Sequence, residues 1–345
     1  MRILMSIISV VALSSVAVAQ EGLKTPQASP AASVSQTVGL TDIVISYHRP
    51  AINGRKVWGE LVPFGEVWRA GANENTTIKF STPVKIGGKS LAAGTYGLHM
   101  IPTAKSWTII FNTLSVGWGS YSYDIKEDAL RTTVTPTTAS DSVERLDYTF
   151  DDPTEHSVTV TLHWEKLKVP FAVEIDTPAV VMASMRAELR GVAQFNWRGW
   201  AQAADYWATH GGKLDEAQRF ADRALKMNEN FSTLYASAEV ADKKGNAKLA
   251  ATLRDKATKV ANEVELNNYG YTLLGEKRID DAIAIFQLNV KQHPESENTY
   301  DSLGDAFMAK NDRKSATDAY SKALSMAKDD PTKKRLTKTL AKLKE

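Results

Sequence analysis

Between positions 49 and 76 the chain concentrates groups that fix polar ligands: Arg49, Arg55, Arg69, Asn73 and Glu74, with Trp58 and Trp68 among them. Guanidinium groups fork carboxylates or phosphates bidentately, and indoles stack on sugars and other planar faces. His99, from the Gly97-Leu98-His99-Met100 segment, completes a set that would serve a ligand site or the centre of a hydrolase using Arg49, Arg69, Asn73, Glu74 and His99. A second reading is scaffolding. Arg69 and Glu74 would then form a buried ion pair pinning the loop, the tryptophans would plug the core, and Gly71 would meet a turn.

The other chemical signals are weaker. His48, His99 and His163 would make a three-histidine metal site if their strands were neighbours, but no H-E-x-x-H or other close ligand pair occurs, so no metal and no cofactor is expected. There is no G-x-S-x-G elbow, phosphate-binding glycine loop or dinucleotide fingerprint. Gly117-Trp118-Gly119-Ser120-Tyr121 matches none of these spacings and reads as a turn beside a packed indole.

The elements that would carry the block have a period of two. Ile43, Ile45 and Tyr47 alternate with Asp42, Val44 and Ser46, and further short strands are expected over 76–80, 84–86, 96–101 and 107–111. Gly87-Gly88 is a two-residue hairpin signal, since a type I′ turn needs positive φ at both places. Strands over 144–150 and 158–164 flank a turn at 151–155, and 168–175 forms a last strand. Many short strands at this spacing predict an all-β sandwich over 33–176. The order of blocks Val57-Trp58-Gly59, Leu61-Val62-Pro63-Phe64-Gly65, Val67-Trp68-Arg69-Ala70-Gly71-Ala72-Asn73-Glu74 and Ala93-Gly94-Thr95-Tyr96-Gly97-Leu98 resembles an uncharacterised bacterial family, a domain of unknown function found in exported proteins. The resemblance covers about 31–174 and implies no established activity. Where that family usually shows a hydroxyl or aromatic residue near Gly97–Met100, this chain has Gly97 and His99.

After Asp176-Thr177-Pro178 alanine dominates and the period becomes 3.6. Residues 177–197 read as a connecting helix. Tyr269, Gly270, Leu273, Ala282 and Phe286 recur 34 residues later as Leu303, Gly304, Phe307, Ala316 and Tyr320. This phase resembles the tetratricopeptide repeat, and two weaker repeats precede it, giving about four over 198–331. The resemblance implies an all-α solenoid whose first helices line a protein-binding groove. Carried over position by position, the groove residues are Gln202, Tyr206, Tyr235, Glu239, Asn267, Tyr271, Asp301 and Asp305. The carboxylates imply a partner segment with a basic residue. Residues 332–345, with Leu336, Leu340 and Leu343 on one face, read as a capping helix.

Met1-Arg2, the apolar run that follows and Ala17-Val18-Ala19 form a secretory signal pattern over 1–19, followed by a leader over 20–32 rich in small residues and proline. A soluble, exported protein of the periplasm or extracellular space is expected, with no integral membrane insertion. The chain has no cysteine, which excludes disulfides and thiolate chemistry, and a formal net charge of +2 draws no nucleic acid. The signal pattern, the sandwich motifs and the repeat phase together point to an exported binding or scaffold protein. Its β-sandwich would take a polar small ligand, a glycan or an envelope surface, and its repeats a protein or peptide. A hydrolase and a purely structural assembly module are the rivals.

Overall fold

The computed structural model describes residues 25–344, so the signal pattern and the first part of the leader lie outside the described residues. The chain divides into two compact units, Met1–Asp176 and Thr177–Glu345.

Among its described residues the first unit holds ten strands: β1 Ala31–Val38, β2 Thr41–His48, β3 Thr77–Phe80, β4 Val84–Ile86, β5 Lys89–Leu91, β6 Gly94–Ile101, β7 Trp107–Asn112, β8 Asp128–Val134, β9 Thr137–Asp151 and β10 Ser157–Glu174. They form a six-stranded sheet ordered β1-β2-β3-β6-β7-β8 and a four-stranded sheet ordered β5-β4-β10-β9. All the pairings are antiparallel. On β2, Thr41, Ile43, Ile45 and Tyr47 are buried while Asp42 and Ser46 face water, as a half-buried strand requires. Edge-to-face ring pairs join the sheets: Tyr47 with Tyr148 at 4.8 Å and Phe111 with Phe171 at 5.8 Å. Gly87 (φ 57°) and Gly88 (φ 73°) close the β4–β5 hairpin, in which Ile86 faces Lys89.

Two boundaries differ from those expected. β1 begins at Ala31, inside the stretch read as leader, because its backbone pairs with β2 although few of its side chains are large. The separate strands expected over 158–164 and 168–175 are one strand, β10, interrupted by register shifts between His163 and Leu167, with Glu165 at φ 55°. Such a bulge bends the strand without ending it. The face of β10 opposite Val160 and Leu162 is also covered, since Thr161 and His163 are buried.

The second unit opens with α1 Thr177–Glu188 and closes with α10 Asp330–Lys344. Between them run four helical hairpins: α2 Trp197–Thr209 with α3 Leu214–Met227, α4 Phe231–Lys243 with α5 Ala247–Val260, α6 Glu263–Gly275 with α7 Ile279–Gln292, and α8 Glu297–Ala309 with α9 Arg313–Met326. Asn230 and Asn262 supply capping boxes for α4 and α6. Each turn inside a hairpin uses one left-handed residue, Gly211, Gly245, Lys277 and Asn311 in succession. A ring of each second helix fills the space left by a glycine of the first in the last two repeats, Phe286 against Gly270 and Tyr320 against Gly304. Leu336 of α10 is fully buried, and Leu340 and Leu343 pack on the same cluster as Tyr320. No helix among the described residues is long and apolar enough to cross a membrane.

Candidate functional site

The connection between β2 and β3 folds as a strap against β6. Trp68 exchanges two backbone hydrogen bonds with Met100, each 2.8 Å, and Gly65 N donates to Pro102 O. Ala70 follows with φ 51°, a conformation costly for a residue with a Cβ. Its carbonyl, accepting from Tyr148 Oη at 2.8 Å and Thr76 Oγ1 at 3.2 Å, holds it there.

The strap sorts the expected ligand residues into two groups. Arg49 donates to Leu146 O and faces Asp147 Oδ2 at 3.5 Å, and Arg55 donates to the carbonyls of Ala51 and Ile52. Asn73 donates to Gln27 Oε1 and Ser29 O, and Glu74 Oε2 lies 3.2 Å from His48 Nε2. Trp58 and Trp68 join Trp107 and Trp164 in a four-indole cluster, with Trp58 and Trp107 centroids 4.9 Å apart and Trp68 stacked on Trp164. These six side chains hold the strap to the sandwich. The Arg69–Glu74 ion pair does not form. Asn73, at φ 58°, turns the chain between them, and Glu74 instead bridges Trp118 through its backbone and reaches His48.

Arg69 and His99 form the second group. Residues 114–124 lie over them. Asn75 N donates to Gly117 O and Asn75 Nδ2 to Leu114 O, which fastens the loop to the strap. A Cβ at Gly97 would stand 2.5 Å from Leu114 O, so only glycine lets the loop come this close. His99 is 2% exposed, with Nδ1 3.0 Å from Ser120 Oγ and its ring beside Tyr123. Tyr123 donates to Asp128, which also takes Asn112 Nδ2 and Arg131 Nε. Ser120 had no signal in the sequence beyond its glycine-rich surroundings. The indole expected to pack there, Trp118, is 57% exposed. Val67, Trp68, Arg69, Ser120 and Tyr121 line a cleft of about 270 Å³.

A serine against a histidine is half of a nucleophilic pair. Burial, only partly opposed by the charge of Asp128, lowers the imidazole pKa to about 4. That ring is neutral at pH 7 and a poor proton acceptor, since an effective base titrates near the working pH. Among the described residues its hydrogen-bond partner is Ser120, and no carboxylate orients it. The geometry suits a fixed hydrogen-bonding group better than a proton shuttle. His48 and His163 do not join it, and no group of three or more His, Cys, Asp or Glu among the described residues could hold a metal ion.

The same shift sets a pH dependence. The unfolded imidazole, near 6.5, binds a proton before the folded one does, so stability falls as pH drops from 6.5 towards 4. The full difference corresponds to about 3 kcal/mol. Denaturant melts of the wild type and His99→Gln at pH 7 and pH 4 should show the wild type losing about that much more than the variant. Equal losses would mean that His99 is protonated in the folded protein.

In the helical unit most of the groove positions are committed to partners within the unit. Glu239 accepts from Arg254 at 2.8 Å, and Asp301 is forked by Arg335 of α10. Asp305 accepts from both Tyr271 and Tyr320. Tyr206 stacks on His210, with centroids 3.9 Å apart. Tyr271 with Asp305, and Asp301 with Arg335, are pairs of equivalent positions one repeat apart, so these side chains also lock repeat to repeat. The expected acidic reach towards the C-terminal end is thereby taken up internally, Asp301 by a cation and Asp305 by two hydroxyls. Asn267 keeps a buried Oδ1 without a partner, and Gln202 is exposed. The open part of the groove lies between α2 and α4, a cleft of about 360 Å³ walled by Trp197, Ala201, Phe231 and Tyr235. Asp205 and Gln202 line it too. Burial, and then the charge of Glu239, raises the Asp205 carboxyl above its usual range.

No curated protein matches the chain. Among solved structures it is similar to YrrB, described as a TPR protein with an unusual peptide-binding site, at 20% identity over 47% of this chain and 84% of that one, with a TM-score of 0.28. Pseudomonas aeruginosa PilF is 22% identical over 43% and 67% of the two chains, and MamA from Desulfovibrio magneticus RS-1 is 21% identical over 44% and 86%, each with a TM-score of 0.28. Residues 29–173, the strap, sandwich and Arg69 cleft together, match the model of the DUF2911 family, whose members are described as proteins of unknown function.

Proposed function

We propose that this protein is an exported binding protein. Its helical unit holds an extended segment of a protein partner, and its β-domain carries a separate small-molecule site. The export address rests on the signal pattern over 1–19. The observation that carries the partner reading is the α2–α4 cleft, where aromatic walls surround a desolvated acid. Rigid rings supply contact area at little entropic cost. Of the cations nearby, Arg254 is shared by Glu239 and Asp242, while Arg198 lines the cleft with its guanidinium over Trp197. Asp205 beside these rings suits a basic side chain next to an apolar one.

A random dodecapeptide library panned on the full chain tests this. Enriched peptides should pair Lys or Arg with an aromatic or aliphatic neighbour. Their synthetic versions should bind about tenfold more weakly to Tyr235→Ala and to Asp205→Asn. Acidic peptides, or binding indifferent to both substitutions, would sink the proposal.

A further inference from the structure

The β-domain cleft contains an arginine that the fold leaves unneutralised. Among the described residues Arg69 makes no hydrogen bond or ion pair, and its Nε is buried without a partner. Neither Glu74 nor Asp128 pairs with it: Glu74 Oε2 is buried 3.2 Å from His48 Nε2 without a hydrogen bond, and Asp128 takes Arg131, Tyr123 and Asn112. A buried or half-buried guanidinium without an anion costs stability, and folds keep such groups where a ligand completes them. The backbone on either side is fixed by the Trp68–Met100 bridge and the two bonds to Ala70 O. On the opposite wall Gly119, at φ 66°, lies flat against the guanidinium, where a Cβ would collide with Nη1. Ser120 brings a hydroxyl to the same cleft, its orientation set by His99.

We propose that this cleft binds the carboxylate of a small organic acid, with Arg69 as the cationic fork, Ser120 as a further hydrogen-bonding group, and Trp68, Val67 and Tyr121 around the acid's apolar body. This deepens the reading of the β-domain as a small-ligand module and rests on it. A carboxylate fits better than a phosphate because, among the described residues lining the cleft, Arg69 is the one cation. Arg49 and Arg131, the candidates for a second, are held by Asp147 and Asp128. The volume, about 270 Å³, lies at the low end for ligand sites and limits the body to a small aromatic or aliphatic acid. Tyr121, 85% exposed, is a large ring left at the mouth of the cleft.

Isothermal titration of the full chain with benzoate, benzamide, inorganic phosphate and glucose tests the assignment. Benzoate should bind about tenfold or more tightly than its neutral isostere benzamide, and Arg69→Gln should erase that preference. Gly119→Ala should weaken benzoate by displacing the guanidinium, and Ser120→Ala should weaken it several-fold. Melting temperatures separate a site from a strut: Arg69→Gln should leave the Tm unchanged or raise it. A fall of several degrees would make Arg69 structural and overturn the assignment, as would benzoate binding that survives both Arg69→Gln and Ser120→Ala. Preference for phosphate or glucose would overturn the carboxylate class while keeping a small-ligand site. Binding of none of the four would remove the carboxylate assignment together with the ligand reading beneath it.

Discussion

Trp164→Ala is expected to destabilise the β-domain by about 3–5 kcal/mol, a large fraction of what holds a domain of this size folded. Trp164 is 1% exposed and touches Trp58 at 5.6 Å and Trp68 at 6.1 Å. Its Nε1 donates to Glu144 O at 3.3 Å. Truncation opens a cavity, deletes that hydrogen bond while Ile52 N still donates to the same carbonyl, and removes two aromatic pairs worth about 0.5–1.5 kcal/mol each. The bulge after His163 presents this indole to the strap, so the loss should propagate to Trp68 and hence to the Arg69 cleft. Near-UV circular dichroism followed through a urea melt would show it, with Trp164→Phe losing less because a ring remains. A loss below about 1 kcal/mol would mean the strap is not seated on the indole cluster.

That cluster marks the limit of what the sequence discloses. Trp58 and Trp68 stand in a block dense in polar groups, and nothing in their spacing shows that Trp107 and Trp164 meet them. The cluster is made by strands distant in the chain. Arg69 and Glu74, five residues apart, invite pairing on sequence grounds. The left-handed turn at Asn73 parts them, placing Glu74 beside His48 and leaving Arg69 in the cleft. Ser120 enters the cleft only because Gly97 and Gly119 let a loop lie flat on the strap, a long-range consequence of two missing side chains. β1 escapes pattern reading since Ala31-Ala32-Ser33 carry little apolar area and the strand is defined by its backbone pairing. The helical repeat is different. Its signal is a local small-and-large alternation that recurs with the period of the structure, so Gly270 with Phe286 and Gly304 with Tyr320 can be read directly.

Those glycines supply the second large effect. Gly270→Ala lies in a helix interior, where propensity alone favours alanine by about 1 kcal/mol. The added Cβ would stand 2.5 Å from Cε1 and Cζ of Phe286, whose ring is fully buried and has no free direction to move. Overpacking of this kind costs about 1–3 kcal/mol or more, so the steric effect outweighs the propensity gain and the variant should be less stable. Phe286→Ala should cost about 3–5 kcal/mol by emptying the same space. The two changes oppose each other in volume. In the double variant the methyl group at position 270 enters the cavity left by the ring, so the combined loss should fall short of the sum by about 1–3 kcal/mol. Urea melts of the full chain and a double-mutant cycle measure this directly. Additive losses would show that the helices of this hairpin separate when either residue changes, and that glycine and ring are not the contact that sets their approach.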